Sequence, residues 1–364
     1  MSKTIKANEH SETGRDGSPR RPLASARSTS ASYRKPTDAE TVKLQIMKAV
    51  RTHNYGGPEV LKYEDTPRPQ VVAPTEMLIR VHAAGLNPVD SAIRDGQVKE
   101  IFPVKFPWIP GSDVSGVVEE VGGNVTRFKT NDEVFALLNP AKGGAYAEYV
   151  VVRESDVALK PKSLQHIRAA AIPVAAITAW NALFETGQLQ AGQRVLIHGG
   201  AGGVGHFAVQ LSKRKGAHVI ATASAKNHEL IFELGADEVI DYHAQKFENV
   251  ARNVDIVLDT IGSDTQERSW KVLKKGGILV SIVQPPSEEM AKAVSARGAM
   301  LQSRPDGAKF AEIAKIFDSG NLAPVIDRIL PLSEARRAQE LSQSGHTRGK
   351  IVLRVVNHNE GKHQ

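Results

Sequence analysis

The chain has 364 residues and no cysteine, which excludes disulfides, thiolate nucleophiles and Cys-ligated zinc. Its composition, 41% apolar and 24% charged, is that of a globular protein with room for two domains, and no run of 18 apolar residues offers a transmembrane span. The formal charge of +7 is uneven, with nine Lys/Arg against five Asp/Glu in residues 1–46, and no basic block interleaves with aromatics, which argues against a nucleic-acid partner.

Residues 1–46 are rich in Ser, Thr, Arg and Gly and poor in large apolar side chains, so a disordered extension is predicted. A secretory signal needs an apolar core, which is missing. The Arg and Ser content resembles a transit peptide, but Glu9, Glu12, Asp16, Asp38 and Glu40 count against one, and a cytoplasmic location is expected. Met47 opens the first strand-like segment and is a candidate functional start. Residues 47–168 show short apolar segments broken by Gly and Pro, such as 77–83 and 115–122, the texture of an all-β, barrel-like domain. The rhythm then changes. Strands are predicted at 194–198, 217–223, 237–241, 254–259 and 277–283, with another near 298–303, alternating with helical runs. This describes a doubly wound parallel sheet over 169–303. Helical runs at 306–319 and 333–343 and a last strand at 350–356 return the chain to the first domain, which 304–356 completes. Residues 357–364 form a short tail. The overall class is α/β.

One loop carries the most chemical information. His198-Gly199-Gly200-Ala201-Gly202-Gly203-Val204-Gly205 follows the apolar run 194–197 and precedes a helical pattern. Gly200, Gly202 and Gly205 match the dinucleotide fingerprint in its strand-turn-helix setting. The glycines permit a tight turn and a close approach of backbone to pyrophosphate, and the helix start offers N–H groups to the anion. A Gly-rich turn serving only strand-helix packing is the alternative. The next strand tip distinguishes cofactors. An NAD site usually carries an acid about 20 residues past the glycines. The first acid here is Glu229, inside the following helix, and the tip carries Ser224 and Lys226 instead. A hydroxyl and a cation suit a 2′-phosphate, so NADPH is the favoured cofactor over a solvated loop lysine with no role.

Further segments include Tyr55-Gly56-Gly57-Pro58-Glu59-Val60-Leu61, Gly85-Leu86-Asn87-Pro88-Val89-Asp90, Pro110-Gly111-Ser112-Asp113-Val114-Ser115-Gly116, Gly143-Gly144-Ala145-Tyr146-Ala147-Glu148-Tyr149 and Leu234-Gly235-Ala236-Asp237. With the glycine loop, and in this order, they resemble the medium-chain dehydrogenase/reductase superfamily, in particular its zinc-free quinone oxidoreductase branch. The resemblance spans residues 47–356 and implies a GroES-like β-barrel catalytic domain beside a Rossmann cofactor domain. Zinc-dependent members carry a cysteine where Asn87 stands and a histidine where Ser112 stands. His53, His82, His166 and His198 are scattered without ligand spacing, so no metal is expected.

The resemblance also implies roles. The cofactor site comprises Asn87, Thr178, Gly200, Gly202, Gly203, Val204, Gly205, Ser224, Lys226, Tyr242, Ile261, Val283 and Lys350. Ser224, Lys226 and Tyr242 surround the 2′-phosphate. Thr178 lies near the nicotinamide end, and Ile261 and Val283 wall the ring. Each has a plainer reading: a helix threonine bonding its own turn, a strand-end aromatic, apolar strand ends, and for Lys350 a solvated strand-end charge. Asn87 is the candidate catalytic residue, a donor to charge developing on a carbonyl oxygen; it is otherwise only a turn former before Pro88. Some relatives place a tyrosine where this chain has Ser91, Ala92 and Ile93, so solvent or a cofactor hydroxyl is left as proton source. Ile101, Phe102, Phe106 and Trp108 are candidates to line an apolar acceptor pocket. The implied activity is reduction of small quinones, enones or enals by a homodimer. The competing readings are an NADPH-binding protein with a structural or sensing role, and a zinc-type alcohol dehydrogenase.

Overall fold

The computed structural model describes residues 45–356. The expected tail at 357–364 and all but the last two residues of the expected extension lie outside the described residues. Ile46 opens the first strand, one residue before Met47, and Gln45 O accepts from Arg68 N at 2.7 Å.

In chain order, the first part holds β1 (Ile46–Arg51), β2 (Lys62–Pro67), β3 (Glu76–Gly85), α1 (Pro88–Arg94), β4 (Asp113–Val121), β5 (Glu133–Leu137), β6 (Tyr149–Arg153) and β7 (Val157–Leu159). Then come α2 (His166–Ala169), α3 (Pro173–Trp180), β8 (Arg194–Ile197), α4 (Gly205–Arg214), β9 (His218–Ala223), α5 (His228–Glu233) and β10 (Glu238–Asp241). The second half of the nucleotide unit is β11 (Val254–Asp259), α6 (Ser263–Ser269), β12 (Leu273–Ser281), α7 (Glu288–Ala293) and β13 (Arg297–Met300). The return segment is α8 (Gly307–Asp318), β14 (Ile326–Pro331), α9 (Ala335–Gln343) and β15 (Lys350–Arg354).

Six parallel strands in the order β10-β9-β8-β11-β12-β13 form the doubly wound sheet. Its central strands are nearly continuous apolar runs because helices cover both faces. Val195, Ile197, Val219, Ala221, Ile256 and Leu258 share one core with Phe207 of α4 and Phe310 of α8, while Leu196, Ile220 and Val257 point into a second core on the opposite face. The strand order reverses between β8 and β11, the switch point at which such sheets bind ligands. β12 differs from expectation. It starts four residues earlier and ends at Ser281, two residues sooner. Its first residues reach the sheet through a register slip at Val254/Ile256, with Gly276 at φ +79°, and the Ser281 hydroxyl then accepts from the amides of Val283 and Gln284 and turns the chain.

The other sheet has the order β14-β15-β3-β4-β5-β7, with β6 also paired to β3, and β1 pairs with β2. It packs around Val81, Val118, Val134 and Ile351. The last two strands thus come from beyond the nucleotide unit. Lys350, the first residue of β15, follows Gly349, whose amide donates to Ala201 O in the glycine loop at 2.8 Å. That bond ties the two sheets together at the cleft.

Candidate active site

A cleft of about 1390 Å³ runs along the switch point and is walled by both sheets. It exceeds the roughly 300–1,000 Å³ of an ordinary small-molecule pocket, which leaves room for a dinucleotide and a second reactant. The glycine loop forms its floor. A Cβ on Gly205 would lie 2.1 Å from Gly199 O, and one on Gly200 would lie 2.9 Å from the Ala221 Cβ. Those glycines are packing requirements. Gly202 and Gly203 have no such clash below 3 Å and line the cleft with Val204, a surface that a phosphate can approach. The loop is braced from beneath. Thr222 accepts from Gly199 N through its hydroxyl at 3.1 Å and from Gly200 N through its carbonyl at 2.9 Å. His198 bridges the Thr222 hydroxyl (3.3 Å) and the Ser269 hydroxyl (2.9 Å). Ser269 donates to Thr265 O, so His198 Nε2 carries the proton and Nδ1 accepts from Thr222. Burial pulls the pKa of His198 down to about 4, and that of His206 likewise, so both rings are neutral beneath the loop.

Ser224, Lys226 and Tyr242 meet at the tips of β9 and β10, as cleft residues. Asn227 joins them, donating to Ser224 Oγ at 3.2 Å, and Tyr242 stacks on His243 with ring centroids 4.2 Å apart. Tyr242 is 54% exposed, so its ring is not core. Ile261 and Val283 are 55% and 47% exposed at the mouths of β11 and β12. A buried carboxylate holds them there. Asp259 accepts from Ile261 N (3.0 Å), Gly262 N (2.8 Å), Gln266 Nε2 (3.0 Å) and Ser281 Oγ (2.9 Å), and Ser281 in turn accepts from Val283 N. Thr178 does not bond its own turn. Its hydroxyl pairs with Ser303 Oγ at 2.8 Å on the cleft wall.

The far wall belongs to the first sheet. Asn87 precedes α1, and its amide N–H donates to the Asp90 carboxylate at 2.9 Å, which fixes the helix start. Asn87 Nδ2 donates to Asp113 Oδ2 at 3.0 Å, and Lys350 Nζ donates to Asn87 Oδ1 and to Asp113 Oδ2, the latter at 3.0 Å. The other Asp113 oxygen accepts from Val174 N at 2.7 Å. Asn87 and Lys350 are 3% exposed and Asp113 is fully buried, so Lys350 is no solvated strand end. Below them Asp90 also accepts from Ser112 Oγ (3.2 Å) and Tyr146 OH (3.0 Å). Burial raises the Asp90 pKa to about 7 against the opposing pull of the Asn87 amide, and raises Tyr146 well above the usual phenol range.

Val89, Val98, Ile101, Phe102 and Pro140 make this end of the cleft apolar. Phe106 and Trp108 do not line it. Trp108 is 3% exposed and bridged to Thr52, and Phe106 packs edge-on against Tyr55 at 4.8 Å. Asp90, Asp113, Asp259 and Ser303 are site residues that the sequence reading misses. An acid within a buried apolar strand, as at Asp113 and Asp259, is the signal that could have found two of them, because such a group requires partners.

Zinc does not fit these residues. Asn87 and Ser112 are neutral and already hydrogen-bonded, and a cation at Asn87 would meet the Lys350 ammonium. Among the described residues no group of three or more His, Asp or Glu is arranged to hold a metal, and no helix is long and apolar enough to cross a membrane.

Residues 73–162 match the alcohol dehydrogenase GroES-like domain family, and residues 234–353 match the zinc-binding dehydrogenase family. The chain is 35% identical to NAD(P)H oxidoreductase RTN4IP1, mitochondrial, of Danio rerio, over 85% of this chain and 92% of that protein. It is 36% identical to the NADPH-dependent alkenal/one oxidoreductase, chloroplastic, of Arabidopsis thaliana, over 91% and 84%. The solved quinone oxidoreductase of Coxiella burnetii superposes with a TM-score of 0.79 at 37% identity, covering 86% of this chain and all of that one.

Proposed function

We propose that this chain, which belongs to the medium-chain dehydrogenase/reductase superfamily and is an oxidoreductase of its quinone oxidoreductase branch, reduces quinones or α,β-unsaturated carbonyls with NADPH and without zinc. One observation carries the reading. The glycine floor, Asn87 and Lys350 line a single cleft whose acceptor end is apolar, with Asp113 buried behind them.

A reduced nicotinamide, when bound, would supply the hydride. The chain's own residues do the rest. Ile261 and Val283 offer apolar surface for the ring, and Val98, Ile101 and Phe102 offer it for the acceptor. One Asn87 Nδ2 hydrogen is engaged with Asp113, which leaves the other for a carbonyl oxygen gaining charge. Ser91, Ala92 and Ile93 provide no phenol, so the proton that completes the reaction comes from solvent or a cofactor hydroxyl. This favours acceptors whose reduced anion is already delocalised. Ser224, Lys226 and Tyr242 supply a hydroxyl, a cation and an aromatic face for a 2′-phosphate, with no acid among them. The same reading includes a homodimer.

The test is NADPH and NADH oxidation against a panel of quinones, conjugated enals and saturated aldehydes. Turnover is expected with the first two classes, and NADPH is expected to bind at least about tenfold tighter than NADH, about 1.4 kcal/mol. Lys226→Ala is expected to weaken NADPH and leave NADH nearly unchanged. Equal losses for both cofactors would remove Lys226 from phosphate recognition, and turnover confined to saturated aldehydes would refute the acceptor class.

A further inference from the structure

We propose that Lys350 is a positioning residue for the reaction, acting through Asn87: its ammonium, locked to Asp113, grips the carboxamide oxygen and fixes which way the amide faces. The inference rests on the proposed role of Asn87 as a donor.

The geometry leaves the amide one orientation. Asn87 Oδ1 accepts from the Lys350 ammonium, and Nδ2 donates to the Asp113 carboxylate. Turned by half a rotation, the amide would set its oxygen against the carboxylate and its NH₂ against the ammonium. Both contacts would be repulsive, and all three groups are almost wholly out of water, where such charges are weakly screened. Two neutral partners, a donor and an acceptor, would favour the same orientation more weakly. The lock also fixes which hydrogen is left over. One Nδ2 hydrogen points to Asp113, so the other is the only one Asn87 can offer to the cleft.

Lys350 is itself held at both ends. Its stem runs beside the glycine loop, where a Cβ on Gly203 would lie 3.3 Å from its Cδ, and its backbone follows Gly349, which bonds Ala201 O. Its head lies between Asn87 and Asp113. The side chain therefore spans from the glycine loop to the Asn87 carboxamide. Its separations in sequence from Asn87 and Asp113, 263 and 237 positions, are closed only because β15 returns to pair with β3.

The test is a double-mutant cycle on the full chain. Lys350→Met keeps the stem and removes the charge. It is expected to lower kcat about 10- to 100-fold, a larger factor than the rise in the NADPH dissociation constant; Asn87→Ala is expected to cost on the order of 10²-fold in kcat. The double variant is expected to be no slower than the slower single variant, because both remove one interaction. Lys350→Arg is expected to recover a measurable part of the rate. Multiplying losses would overturn the proposal, since Lys350 would then act apart from Asn87. A second readout needs no turnover: the ¹³C shift of the Asn87 carboxamide carbon, whose oxygen accepts from Lys350, followed by NMR in asparagine-labelled protein. An ammonium held at the carboxamide oxygen draws that resonance downfield, so an upfield move is expected in Lys350→Met, and an unchanged shift would also overturn the proposal. If Lys350→Met fails to fold because Asp113 is left as a lone buried charge, the paired variant Lys350→Met with Asp113→Asn removes that charge. Loss of NADPH binding in both would make Lys350 a binding or folding group and reject the positioning role. Protein in which Lys350→Met moves the Asn87 carboxamide shift but which has no activity toward any enone or quinone would reject the functional reading while leaving the lock intact.

Discussion

Asp90 receives three hydrogen bonds, from Asn87 N, Ser112 Oγ and Tyr146 OH, and still titrates near 7 because it is wholly buried beside Asp113. Its ordinary value is 3.8. Between those values the folded chain holds a proton that the unfolded chain has released. Stability from this group is therefore full below about pH 4, falls as pH rises toward 7 and levels off above it. Asp90→Asn replaces the carboxyl with an amide that does not titrate. The native Tm minus the variant Tm is expected to fall as pH is raised from about 4 to about 7. His198 and His206, neutral under the glycine loop, titrate in both proteins and cancel in the difference. A pH-independent gap would show that Asp90 is ionised throughout. At this scale the sequence was legible where partners are local. The glycine loop and Asn87 before Pro88 carry their meaning within a few residues. The pairing of Thr178 with Ser303, 125 positions away, and that of Lys350 with Asn87 exist only through the fold. Phe106 and Trp108 show the converse, since an aromatic suited to a pocket is equally suited to the core that holds Trp108.

The parallel strands announced themselves as short apolar runs because both faces of their sheet are covered. The β12 limits did not, because its opening residues include the exposed Lys274 and Lys275 and enter the sheet by a register slip. The same sheet ends at β13, which among the described residues pairs only with β12 and presents a free edge. A bare edge invites pairing with another strand. A second copy placed about a two-fold axis would cover it symmetrically, which supports the proposed homodimer. Light scattering is expected to give twice the chain mass of 39.4 kDa at micromolar concentration. A mass equal to one chain across that range would contradict the dimer.

At the scale of the whole molecule, function depends on two sheets meeting at one cleft. The nucleotide unit contributes the floor and the strand tips, and the other side contributes Asn87, held from behind by the buried Asp113. The return of β15 brings Lys350 to both, and the Gly349–Ala201 hydrogen bond closes the seam. The inserted-domain order was legible in the chain's change of rhythm. The Asn87–Asp113–Lys350 cluster was only half legible, as Asn87 and Ser112 standing where ligands had been looked for. The buried Lys350 ammonium beside Asn87 emerged only from the packing. The proposed reaction is hydride transfer to a delocalised acceptor without a metal. It is tested by running the exhaustively chelated protein with NADPH deuterated at the transferable position and a conjugated enone, and locating the label in the product by NMR. Deuterium on the β-carbon with the carbonyl intact is expected. Deuterium on a carbinol carbon, or turnover that returns only when zinc is restored, would contradict the account.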